Sequence, residues 1–151
     1  MENWSNRKTW ADKFILQQQE ILAPHLIKIG EVLDDRTKCT DLKTVETRTS
    51  VRIRKYADLR YKNEFTIRSY SHGITTELEK IATGWGDYIL YCFANKDETS
   101  IDFWILGDLN VFRSIIFNNP KLMENVRNNR DGTKFCVFDW NDFKPMIIAN
   151  A

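Results

Sequence analysis

Residues 87–94, DYILYCFA, leave almost no polar side chain for either face of a strand. A half-exposed strand alternates apolar with polar positions, whereas a run apolar nearly throughout fits a strand covered on both faces. The polar turn NKDETS follows. Then comes IDFWIL at 101–106, a second apolar strand placed to pair with the first as a hairpin. Helices on the faces of a sheet supply such cover, and the flanking sequence offers them.

Upstream, Trp10, Phe14, Ile21 and Leu22 recur at near-helical spacing over residues 7–22. Pro24 is expected to open a second short helix, PHLIKI, with Gly30 as its stop. Three strand-like segments come next: DLKTVE at 41–46, SVRIRKY at 50–56 and EFTIRSY at 64–70. Their short links favour antiparallel neighbours. Thr76 with Glu79 fits a capping box and Gly84 a helix stop. Asp108 is placed to cap a helix reaching Asn118, with Leu109, Phe112, Ile115 and Ile116 inward. A short helix at 121–128, an RDGT turn and the strand KFCVFDW complete the pattern. The predicted fold is α/β (α+β), a mixed central sheet flanked by helices, in a single domain spanning 1–151.

At 151 residues and 42% hydrophobic content, the chain is large enough to bury one real core. No apolar run approaches the roughly 18–20 residues that span a bilayer. The N-terminal MENWSNRKTW lacks the apolar stretch of a signal peptide, so a cytoplasmic protein without a membrane partner is expected. Cys39, Cys92 and Cys136 are scattered and His25 and His72 are the sole histidines, which disfavours structural zinc. Cys92, mid-strand among apolar neighbours, should be a buried and inert thiol. The chain has no GxGxxG, Walker loop, GxSxG or HExxH.

A net charge of +1 hides a segregation. Residues 36–68 carry ten Lys/Arg against four acids, giving +6, and residues 77–108 carry two against seven, giving −5. Within the basic stretch, Val51 and Ile53 alternate with Arg52 and Arg54, so the two guanidiniums share one strand face. On the next strand Glu64, Thr66 and Arg68 oppose Phe65 and Ile67. If the two strands pair, Arg52, Arg54 and Arg68 converge, and the three are then solvated, paired with Glu64 or Glu46, or open to an anion. Tyr56, Tyr61 and Tyr70 border this segment, as base-stacking platforms or as amphipathic packing. Trp85, between Gly84 and Gly86, is expected to cover the sheet edge.

The αβββαβ order, with Asp41 in CTDL before one strand and VRIRK on the next, resembles the PD-(D/E)XK nuclease superfamily. The resemblance implies a restriction-endonuclease-like core over residues 10–94 with C-terminal additions. It also implies carboxylates that hold Mg²⁺ and a Lys that stabilises charge on phosphate. Asp41 stands at the family Asp, as catalytic group and metal ligand. Arg52 falls at the metal-binding acid and Arg54 at the Lys. Arg54 can still fork onto phosphate oxygens, but Arg52 cannot coordinate a cation. The implied alternatives are a binding-only relative, or a relocated site of Asp41, Glu77 and Lys80. Glu77 and Lys80 share a helix face; their structural roles would be helix-dipole partner and surface charge.

The chain also looks like phage and mobile-element proteins. Two functions follow as expectations. One is a nucleic-acid-directed protein, DNA-binding through Arg36, Arg52, Arg54 and Arg68, with Mg²⁺ if it cleaves. The alternative is a small phage-type interaction protein that binds and inhibits a host defence protein.

Overall fold

The computed structural model describes residues 4–29, 42–44 and 47–151. The chain forms two compact units, residues 1–47 and 48–151. The first contains helices α1 (Trp4–Asp12) and α2 (Ile15–Leu26) and an antiparallel pair of strands, β1 (Ile27–Ile29) and β2 (Leu42–Thr44). The helical pattern expected over 7–22 is thus broken at residues 13–14, where Phe14 is buried and meets Trp10 edge-on at 5.2 Å. Pro24 does not open a helix. It lies inside the last turn of α2, where its missing N–H leaves a carbonyl of the preceding turn without its helical bond, and the chain leaves the helix after Leu26 as the β-branched Ile27 and Ile29 enter a strand. Gly30, Arg36, Cys39, Asp41 and Glu46 lie outside the described residues, so the expectations placed on them, including Asp41 as metal ligand, have no structural counterpart here.

The second unit is a mixed α+β arrangement. A four-stranded sheet runs in the order β3 (Thr49–Arg54), β5 (Tyr88–Ala94), β6 (Ile101–Asp108), β9 (Ile147–Asn150). A three-stranded sheet runs β4 (Glu64–Tyr70), β8 (Lys134–Asp139), β7 (Val126–Asn128). Helices α3 (Glu77–Ala82) and α4 (Leu109–Asn118) flank them. The expected hairpin is present, with Leu90 opposite Leu106 and Cys92 opposite Trp104. Both expected caps are present as well. Thr76 and Glu79 form the reciprocal box, and Asp108 accepts from Asn110 N and Val111 N.

The pairing of the middle strands differs from expectation. β3 does not pair antiparallel with β4. It runs parallel to β5, with Arg52 opposite Tyr91, and β4 pairs antiparallel with β8 in the other sheet. The reason lies in the faces. β5 is buried from Ile89 to Ala94 and needs a neighbour on each side; β6 supplies one and β3 the other. β4 has a single apolar face, Phe65 and Ile67, both at 0% exposure; its other face runs from half-buried Glu64 and Thr66 to exposed Arg68, with Val137 of β8 buried beside Thr66. The segment 121–128 also differs. It forms a short 3₁₀ turn (Pro120–Glu124) and then β7, not a helix.

The core joins the two sheets through aromatic rings. Phe65 of β4 contacts Trp140, Phe138 and Phe143 at centroid separations of 4.2, 5.1 and 5.4 Å, and Phe112 of α4 and Tyr91 of β5 at 6.0 and 6.4 Å. Among the described residues, no helix is long and apolar enough to cross a membrane.

Candidate functional site

Register places Ser50, Arg52 and Arg54 beside Ile89, Tyr91 and Phe93, on the face of the sheet that meets the core. An unpaired guanidinium there would cost several kcal/mol in lost hydration. Both are paired. The Arg52 guanidinium donates to Glu77 Oε2 at 2.5 Å, and Ser50 Oγ lies 3.2 Å from Glu77 Oε1. Arg54 Nε sits 3.3 Å from Asp58 Oδ2. Tyr91 Oη and Thr66 Oγ1, 3.3 Å apart, extend this polar cluster to β4. The three arginines expected to converge are therefore separated: Arg52 and Arg54 are held by carboxylates, and Arg68 belongs to the other sheet.

Glu77 is brought to Arg52 rather than to Lys80, which is exposed in the last turn of α3. A Mg²⁺ ion needs oxygen ligands free of competing cations. Glu77 divides its carboxylate between Arg52 and Ser50, and Asp41 lies outside the described residues. Among the described residues, no group of three or more His, Cys, Asp or Glu side chains could hold a metal ion. Glu77 and Lys80 alone do not assemble the implied Mg²⁺ site, whose third member, Asp41, lies outside the described residues.

A different surface gathers cationic and aromatic groups. On β4 and β8, Phe65, Ile67, Cys136 and Phe138 face the core, so Arg68 and Phe135 point to the opposite side. Strand register aligns Arg68, Phe135 and Arg127 across β4, β8 and β7. Neighbouring strands lie about 4.8 Å apart, so the two arginines flank Phe135 on a row about 10 Å wide at the backbone. The Arg127 guanidinium lies 5.9 Å from the ring centre of Tyr61, that of Arg60 lies 4.9 Å from it, and Tyr61 is exposed. Segments 60–70 and 126–139 together carry six Lys/Arg against three acids, a surplus of three positive charges.

Each of those acids has a structural task. Glu64 accepts one bond from Arg127 at 3.3 Å. Asp139 accepts from Asn141 N at 2.8 Å at the head of a 3₁₀ turn. Asp131 accepts from the Thr133 hydroxyl and amide. Those bonds, with Arg68 contributing less, hold its carboxyl below the usual range. Arg68 forms no ion pair among the described residues.

A second notable surface surrounds Trp85. Gly84 and Gly86 adopt φ values of +104° and +82°, which L side chains rarely reach, and turn the chain sharply on both sides of the indole. Arg113 of α4 donates to the carbonyls of Ile81, Trp85 and Gly86 and to Asn110 Oδ1, at 3.1, 3.4, 3.2 and 2.7 Å. The indole does not plug a sheet edge; it is 61% exposed, with the Arg48 guanidinium 5.0 Å from its ring centre. The stem of Arg113 also lines an open groove of about 610 Å³ with Phe117, which is 85% exposed.

No family model, curated protein or solved structure matches the chain. Unit 48–151 is a small two-sheet α+β arrangement whose candidate sites are surfaces.

Reasoning from sequence missed Arg127 and Phe135. Arg127 sat in a segment whose short apolar spacing imitated a helix, and Phe135 was assigned to a strand of unknown partner. The available signal was the alternation of Phe135 and Val137 against Cys136 and Phe138, which marks two apolar faces on β8 and hence a ring on the outer side.

Proposed function

We propose that the chain is a nucleic-acid-binding protein whose contact surface is the outer face of the three-stranded sheet. The observation that supports this most is the row Arg68–Phe135–Arg127, continued by Tyr61 and Arg60. Arginine forks match phosphate oxygens, and a local surplus of positive charge draws a polyanion. Arg52 and Arg54 take no part: they lie on the core-facing side of β3 and are held by Glu77 and Asp58, whereas Arg68 is exposed and Arg127, though paired with Glu64, lies on the outer face.

The test is fluorescence anisotropy with labelled DNA over a series of salt concentrations. Arg68→Glu with Arg127→Glu should abolish binding, and Arg52→Gln with Arg54→Gln should leave it intact. The opposite pattern would return the interface to β3. Incubation of DNA with Mg²⁺ should yield no cleavage; cutting that depends on Asp41 and Glu77 would restore the relocated nuclease site.

A second reading, capture of a protein partner, is favoured by Trp85 and Phe117. Interface hot spots are rich in Trp and Arg, and here the Trp85 backbone is anchored by Arg113 while the Arg48 guanidinium lies over the exposed indole. Trp85→Ala that removes a partner while leaving DNA affinity unchanged would support this reading.

A further inference from the structure

We infer that the outer sheet face selects unpaired over paired nucleic acid, through base stacking on its guanidinium–aromatic cluster. This rests on the nucleic-acid reading above and adds the strandedness of the ligand. The cluster is built from planes. Tyr61 carries the Arg60 and Arg127 guanidiniums at 4.9 and 5.9 Å from its ring centre, and Phe135, half-buried, stands between Arg127 and Arg68 in strand register.

Bases stack on aromatic rings and on arginine planes alike, but only when they are unstacked and turned outward. A duplex offers phosphates and the edges of its bases in the grooves, and keeps the base faces stacked inside. Groups that read only phosphate need charge and gain nothing from lying flat against rings. The charge arrangement agrees. Arg127 has already given one bond to Glu64, which leaves its plane better placed for stacking than for a full phosphate fork. Arg68, exposed and attracted to Asp131 without an ion-pair contact among the described residues, is the group for the backbone phosphate. The face is short, with three residues in β7 and six in β8, so it suits a few nucleotides rather than a long groove.

The experiment compares labelled oligothymidine with a mixed-sequence duplex of equal length in anisotropy titrations. The wild-type chain, Tyr61→Ala, Tyr61→Phe and Arg127→Lys are measured, each checked for folding by circular dichroism. The single strand should bind more tightly than the duplex. Tyr61→Ala should weaken single-strand binding about ten-fold, since stacking contributes ~1–3 kcal/mol per base, while Tyr61→Phe retains it. Arg127→Lys keeps the charge but loses the plane, so affinity should fall with the salt slope unchanged. Equal affinity for both ligands, with Tyr61→Ala and Arg127→Lys neutral, overturns strand selection and leaves the binding surface standing. Binding of neither ligand overturns the nucleic-acid reading itself. If Tyr61→Ala does not fold, Arg127→Lys and the comparison of single strand with duplex still decide the matter.

Discussion

At the residue scale, solvation decides what each candidate group is free to do. Arg52 and Glu77, 25 residues apart, meet because a cation on the core-facing side of β3 must find an anion. Alternation along SVRIRKY located the two arginines on one face; the partner that closes that face comes from α3, beyond what strand periodicity reveals. Cys92 shows the simpler case. Burial pushes its thiol up to about 12, so at neutral and mildly alkaline pH it stays protonated. Cys136 is raised by the same cause. Alkylation of the native chain at pH 8, read peptide by peptide, should leave both unmodified, and full labelling should appear on denaturation. Rapid native labelling of Cys92 would mean that β5 is not covered as described.

Asp87 carries a pH dependence of the opposite kind. The backbone N–H of Arg48 donates to its carboxylate at 2.7 Å, and the nearby guanidinium adds attraction, which holds the carboxyl below the usual carboxylate range. A depressed carboxylate stabilises the fold fully above its unfolded pKa, and the contribution is lost as pH falls through the lower folded value. Asp87→Asn should therefore destabilise the chain at pH 7, and the difference should shrink as pH falls through the acid range. Parallel thermal melts across that range check this.

At the element scale, local chemistry was legible wherever a cap or a short turn governs. The Thr76–Glu79 box and the Asp108 cap depend only on spacing within one turn, and both helices start where those residues place them. Thr76→Ala should cost about 1 kcal/mol, seen as a lower denaturant midpoint. Thr76→Ser should retain most of it. What the sequence left dark was pairing between elements. Antiparallel neighbours were the natural inference from short links, yet the 3₁₀ turn at Tyr56–Tyr61 lets the chain leave one sheet and begin β4 in another. Nothing in the length of a link distinguishes a hairpin from such an exit. Segment 121–128 failed for another reason: Leu122, Met123 and Val126 match helical spacing, but a 3₁₀ turn followed by a strand satisfies the same pattern.

At the scale of the whole molecule, the two sheets of unit 48–151 hold together by one aromatic cluster, and the candidate interface depends on it indirectly. Phe112 of α4 meets Phe143, Phe138 and Phe65 at 5.3, 5.2 and 6.0 Å and is fully buried. Those rings come from both sides of the β4–β8 ladder's inner face, so they fix the register that aligns Arg68 with Phe135 and Arg127. Phe112→Ala should cost about 3–5 kcal/mol, a large part of the 5–15 kcal/mol that ordinarily holds a domain folded. Urea unfolding should show the loss as a lower midpoint with an unchanged slope, since the native surface is otherwise the same. Below that midpoint the folded fraction should still bind DNA with the wild-type salt slope, because no phosphate contact has been removed. A changed slope would mean that α4 itself meets the ligand. An unchanged midpoint would mean that the rings do not join the sheets energetically, and the Arg68–Phe135–Arg127 row would lose the packing that keeps it in line.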